Sequence, residues 1–137
     1  MFEELDIGYE LKITSAHRTP EQTRKFIQYY DEEVGVSVFI AAAGYAAHLA
    51  GVVASETIKP VIGIPIDSSC LNGFDSLLST VQMPGGIPVA TVTIGKAGAK
   101  NAALLAAQII ALNNNSIREK LIEMRKKQKE AIENMNI

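Results

Sequence analysis

Residues 36–66 read VSVFIAAAGYAAHLAGVVASETIKPVIGIPI. Two apolar runs, Val36–Ala42 and Val61–Ile66, bracket a stretch of small residues that closes at Lys59-Pro60. Apolar runs without polar alternation suit strands covered on both faces. The segment between them predicts a small-residue helix reaching about Glu56, broken by the proline. Strand, helix and strand in this order predict a βαβ unit with a right-handed crossover and a parallel sheet.

The alternation continues on both sides. Upstream, Tyr9–Thr14 (YELKIT) alternates as a short strand, and Thr19-Pro20-Glu21 opens a helix. Thr can cap, Pro fits the first helical position, and Glu suits the positive helix end. This helix runs to about Glu33, burying Phe26, Ile27 and Tyr30, and Gly35 ends it. Downstream, a helix is predicted from Phe74 to about Val81, a turn at Met83-Pro84-Gly85-Gly86, and a third buried strand at Val89–Ile94. An Ala-rich helix covers about Ala99–Leu112, Asn113–Ser116 break and cap, and a charged amphipathic helix runs from Ile117 to about Asn134. The expectation is one α/β domain over 1–137, with four strands in a three-layer α/β/α arrangement.

Bulk properties narrow the function. Apolar residues make up 47% of 137, enough for a packed core. The net charge of −2, with both signs interspersed, gives no electrostatic reason to expect nucleic acid or an anionic membrane. The only cysteine, Cys70, has no partner for an intramolecular disulfide and fits a reducing, cytoplasmic compartment. No basic and apolar leader precedes the first helix-forming residues, and no apolar stretch is a membrane span.

Ligands of open α/β sheets sit at the carboxyl ends of strands. Two such loops carry the chain's only histidines. In Ser15-Ala16-His17-Arg18, His17 offers a group that exchanges a proton near neutral pH, and Arg18 at a helix start suits a phosphate. The bland alternative is a strand-end cap and a solvated charge. The second loop, Ala41–Leu49, is dense in small residues that let a ligand approach the backbone, or that serve tight packing. His48 there is either a site residue or a satisfied, partly buried histidine. Gln82–Pro88 is a rigid turn, or a lid or wall on the strand-end pocket. Gly95–Lys100 lacks Walker spacing, so an NTPase site is excluded. Two scattered histidines make zinc improbable, and Cys70 reads as a packed small residue rather than a nucleophile.

Taken together, SAHRTP at 15–20, AAHL at 46–49, LNGFDSLLSTVQMPGGIPVATV at 71–92 and GKAGAKNAALLAAQI at 95–109 are far more specific than any one motif. In this order and spacing they resemble the class I branch of the aminoimidazole ribonucleotide carboxylase/mutase family. The resemblance implies a flavodoxin-like sheet and a step of de novo purine synthesis. That step rearranges N5-carboxyaminoimidazole ribonucleotide to 4-carboxy-5-aminoimidazole ribonucleotide, without metal or cofactor. It implies His17 as catalytic acid and base, with CO2 as a trapped intermediate. It further implies Arg18 as the phosphate-binding residue, and Ser15, Ala16, Ala43, Gly44, His48 and Leu49 around the substrate. The resemblance also implies a homo-octamer, with the helix at 117–134 reaching a neighbouring subunit.

The chain departs from the family pattern in places. Ala42 and Tyr45 stand where the family has glycines, and Ala50 where it has proline. The family's opening strand and Gly-Ser-x-Ser-Asp loop have no counterpart here, and that strand is expected between residues 9–14 and 36–42 of the sheet. Two alternatives stand beside the mutase: the related class that carboxylates aminoimidazole ribonucleotide directly with CO2, against which AAHL and QMPGG speak, and, because that loop is absent, a non-catalytic remnant of the family.

Overall fold

A computed structural model describes residues 1–135, which form two compact units: 11–102, and 1–10 together with 103 onward. In the larger unit, three parallel strands lie in the order β1 (Phe39–Gly44), β2 (Val61–Ile66) and β3 (Ala90–Thr91). Helices α1 (Pro20–Gln28), α2 (Leu49–Glu56) and α3 (Phe74–Val81) alternate with them, and α4 (Gly95–Ala111) starts in this unit.

Side-chain alternation along β2 separates the layers. A Cβ placed on Gly63 would meet Ala50 of α2 and Thr80 of α3. The next residue, Ile64, points the other way and meets the first turn of α4 at Gly98. Helices thus cover both faces, which is why Val61 to Pro65 are all buried and read as an unbroken apolar run. Ile27, Ala41, Ala50, Val53, Ala54 and Val61 form the core beneath α1 and α2.

Three expectations need correction. Residues 9–14 form no strand, and Leu11 and Ile13 are 80% and 91% exposed. The alternation there is strand-like, but a strand exists only through ladder hydrogen bonds, and no described strand pairs with this segment. Among the described residues the sheet therefore has three strands, with one edge of β1 unpaired. β3 is only two residues long because only Ile62 and Gly63 of β2 pair with it before the chain turns into α4. Cys70 is exposed, not packed. It sits in the turn between β2 and α3, which is held by polar groups: Ser69 Oγ donates to Asp75 at 2.8 Å, and Asn72 takes a left-handed φ of 53°.

The helix starting at Pro20 widens into a π-helical turn over Tyr29–Val34, ended by left-handed Gly35. Asp31 in that turn accepts from Thr57 Oγ1 at 2.5 Å, and Lys59 Nζ binds both Asp31 (3.4 Å) and the Val36 carbonyl (2.8 Å). These contacts fix the entry to β1 from the turn that precedes β2.

In the smaller unit, Leu5 is 1% exposed and packs with Ala107 and Ala111 of α4 and Ile117 of α5 (Asn115–Glu133). Asn114 caps α5 by accepting from Ile117 N at 3.2 Å. Toward its end α5 is polar and laced by pairs four residues apart, with Ile122 and Ile132 left exposed. No helix among the described residues is long and apolar enough to cross a membrane.

Candidate active site

His17 stands on a turn closed by its own neighbours. Thr19 N donates to the Ser15 carbonyl at 2.8 Å, and Arg18 N donates to Ser15 Oγ at 3.2 Å. Thr19 Oγ1 accepts from Ser15 N and donates back to Ser15 O. That hydroxyl is thereby occupied and makes no cap bond to α1, contrary to the expected cap. Thr14 and the buried Thr23 tie the turn to the helix through a 2.6 Å hydroxyl contact. None of these bonds uses the imidazole, so the turn holds the ring's position while leaving both nitrogens available.

His48 comes from the other loop. Its carbonyl accepts from Val52 N at 3.0 Å, making it the residue that starts α2. Its ring stacks on that of His17, with centroids 5.9 Å apart and planes inclined by 21°. The two histidines, 31 positions apart in sequence, are thus one site, and both are solvent-accessible.

The pair lies at one end of a groove of about 540 Å³ between α2 and α3. Ala46, Gly51, Val52 and Ser55 line one wall; Leu78, Ser79 and Gln82 line the other. Met83, Pro84 and Ile87 complete it, so the Gln82–Pro88 loop does wall the groove that holds the histidines. That loop joins α3 to β3. Met83 rests on Gly51, where a Cβ would come within 3.2 Å of its sulfur.

None of the remaining predicted residues lines this groove. Ser15 and Ala16 are half-buried in the His17 turn. Arg18 is exposed at the start of α1 and has no ion-pair partner among the described residues. Ala43 and Gly44 end β1, and the space over Gly44 is filled by Ser68, whose Oγ would lie 1.8 Å from an added Cβ. Leu49 packs against the core cluster. The groove residues Gly51, Val52, Ser55, Leu78 and Ser79 were not anticipated. The signal for the first three was available: they lie three, four and seven positions after His48, on one face of a helix. Among the described residues, no group of three His, Cys, Asp or Glu is placed to hold a metal ion.

Comparison with known proteins gives the family and the fold. The model of the AIR carboxylase family matches residues 1–131. The N5-carboxyaminoimidazole ribonucleotide mutase of Bacillus subtilis is 52% identical over 132 residues, which are 96% of this chain and 81% of that protein. The mutase of Pyrococcus abyssi is 54% identical over 129 residues, covering 94% of this chain and 72% of that protein. The crystal structure of Treponema denticola PurE superposes with a TM-score of 0.86 at 29% identity, covering 96% of this chain and 80% of that one. A family match over nearly the whole length, joined to the same parallel α/β fold, leaves one assignment: the chain belongs to the AIR carboxylase family.

Proposed function

We propose that the chain converts N5-carboxyaminoimidazole ribonucleotide to 4-carboxy-5-aminoimidazole ribonucleotide, in de novo purine biosynthesis, with His17 as the proton carrier. The supporting observation is the His17 ring held on a closed turn, with no structural bond of its own, against His48. In the forward sense the carbamate N–C bond breaks and releases CO2 while His17 protonates that nitrogen. C4 of the imidazole then bonds to the CO2 carbon, and the C4 proton returns to His17. Proton, carboxyl group and charge balance with no metal or further cofactor. One group serving as acid and then base suits an imidazole near neutrality. Holding CO2 beside one carbon replaces a bimolecular encounter with a positioned one.

Arg18 is the phosphate anchor in this scheme: exposed, at a helix start and unpaired among the described residues. Ser15, Ala16, Ala43, Gly44, His48 and Leu49 surround the nucleotide. Arg18→Ala is expected to raise KM about 10- to 100-fold, the loss of one hydrogen-bonded charge contact, with a smaller change in kcat. Steady-state kinetics over a range of substrate concentrations check this, and an unchanged KM counts against the contact.

The trapped CO2 requires exclusion of water, yet both histidines are open in a single chain. Apolar side chains near the groove are also uncovered, with Phe74 at 64%, Leu78 at 48% and Val81 at 48% exposure. Further copies of the chain in a cytoplasmic homo-octamer would close the site and cover this face, with α5 reaching a neighbour through Ile122 and Ile132. Assays with N5-carboxyaminoimidazole ribonucleotide, and separately with aminoimidazole ribonucleotide plus bicarbonate, test the function. Turnover of the first without bicarbonate supports the mutase. Turnover only of the second identifies a direct carboxylase. Absence of both identifies a non-catalytic member.

A further inference from the structure

We infer that His17 and His48 together form a two-histidine site for a late first-row transition-metal ion, copper(II) above all, whose binding inhibits the enzyme. The binding stands on the geometry of the two rings, and only the inhibition rests on the function proposed above. Both imidazoles are exposed, and neither makes a hydrogen bond or ion pair among the described residues. All four ring nitrogens are therefore open to a ligand, and neutral imidazole is the commonest metal donor in proteins. The ion is no cofactor of the reaction: it occupies the group that has to carry the proton.

The spacing of the rings carries the inference. Nitrogens bound to one ion at roughly 2.0–2.1 Å put two imidazole centroids about 4.5–6.4 Å apart, as the angle at the ion opens from about 90° to about 180°. The His17 and His48 centroids are 5.9 Å apart, inside that range. Their planes are inclined by only 21°, so the nitrogens do not converge on one point as the rings stand. Turning each ring about its Cβ–Cγ bond corrects this, since that axis passes close to the centroid and leaves the spacing nearly unchanged. No hydrogen bond to the protein has to break. The backbone beneath each ring is fixed: Thr19 N donates to the Ser15 carbonyl at 2.8 Å across the His17 turn, and Val52 N donates to the His48 carbonyl at 3.0 Å. The two donors are thus held as a pair, and the second binds as an intramolecular event. The groove lining selects the ion. It holds no carboxylate, so calcium and magnesium find none of the oxygen anions they need. Imidazole donors favour copper, nickel and zinc, with copper(II) tightest.

The test uses the full chain with His17→Asn, His48→Asn and the double variant, titrated with copper(II) chloride by calorimetry and read by electron paramagnetic resonance. The wild-type chain is expected to bind copper(II) with hyperfine coupling to two imidazole nitrogens. Each single variant should bind at least about tenfold more weakly and couple to one nitrogen. The double variant should lose the site and report any binding by the amino terminus alone. Circular dichroism without metal should be the same in all four proteins, since neither ring holds the fold. Zinc chloride should compete for the same site at higher concentration, and magnesium chloride should not. Mutase turnover should fall over the copper concentrations that fill the site and return when a chelator removes the ion. Single variants that bind within twofold of wild type, or a wild-type spectrum with fewer than two imidazole nitrogens, mean an adventitious ion only and overturn the inference. A filled site with unchanged turnover overturns the inhibition, and with it the role of His17 as proton carrier. A chain without mutase activity refutes the proposed function, while the spectra still decide the two-histidine site.

Discussion

His17→Asn is expected to lower mutase turnover by about 10³-fold, within the range that a positioned acid–base group contributes. Asparagine retains a planar, hydrogen-bonding side chain but cannot take and return a proton near neutral pH. The fold should not notice the change, since the turn around residue 17 is held by Ser15, Thr19 and backbone groups. An exposed side chain without structural bonds costs roughly 0.5 kcal/mol or less to replace. Denaturant midpoints should therefore agree between variant and wild type, and product binding should persist. The outcome depends on His48 being unable to substitute. Its ring lies 5.9 Å from His17, so a nitrogen placed for a substrate proton at one ring is misplaced from the other. A variant that retains a tenth of wild-type turnover with unchanged stability removes His17 from the role of proton carrier.

That the two histidines form one site was only partly legible in the sequence. Periodicity placed each of them in a loop after a strand, which holds for His48 after β1 and fails for His17, because residues 9–14 form no strand. Stacking, however, depends on the angle at which the 15–19 turn leaves α1, and this is set by hydroxyl contacts among Thr14, Ser15, Thr19 and Thr23 that no apolar pattern encodes. The buried strands Val61–Ile66 and Phe39–Gly44 were readable because covering both faces forces an apolar run. Residues 9–14 misled for the converse reason. Alternation records which face a strand would present, while pairing depends on a neighbour that the local pattern does not contain. Cys70 was misplaced because a small residue beside a strand end looks the same in sequence whether the following turn folds inward or outward. Ser69, Asn72 and Asp75 turn it outward.

The glycines of Gly95-Lys96-Ala97-Gly98 look like a phosphate loop by composition, but Gly98 has a different task, and its replacement gives the largest stability effect expected in this chain. Gly98 lies in the first turn of α4, where the helix crosses the segment leaving β3. A Cβ at this position would lie 1.7 Å from the Thr93 carbonyl oxygen and 3.3 Å from Ile64 of β2. The first contact is with backbone, which no rotamer change can relieve. Gly98→Ala must therefore lift the start of α4 from the sheet, or move the turn at Thr93 away from β3, which is joined to β2 through only two residues. Either movement also disturbs packing over Ile64, itself 6% exposed. Overpacking of this kind costs about 1–3 kcal/mol, and here the upper end applies because the obstacle is main chain. Alanine's better helix propensity returns less than about 1 kcal/mol of that. Urea unfolding should show a lower midpoint with an unchanged slope. Gly85→Ala is the control: it has no atom within 4 Å of its added Cβ and should leave the midpoint in place. If Gly98→Ala matches the control, α4 does not approach β2 as closely as the third layer of this fold requires.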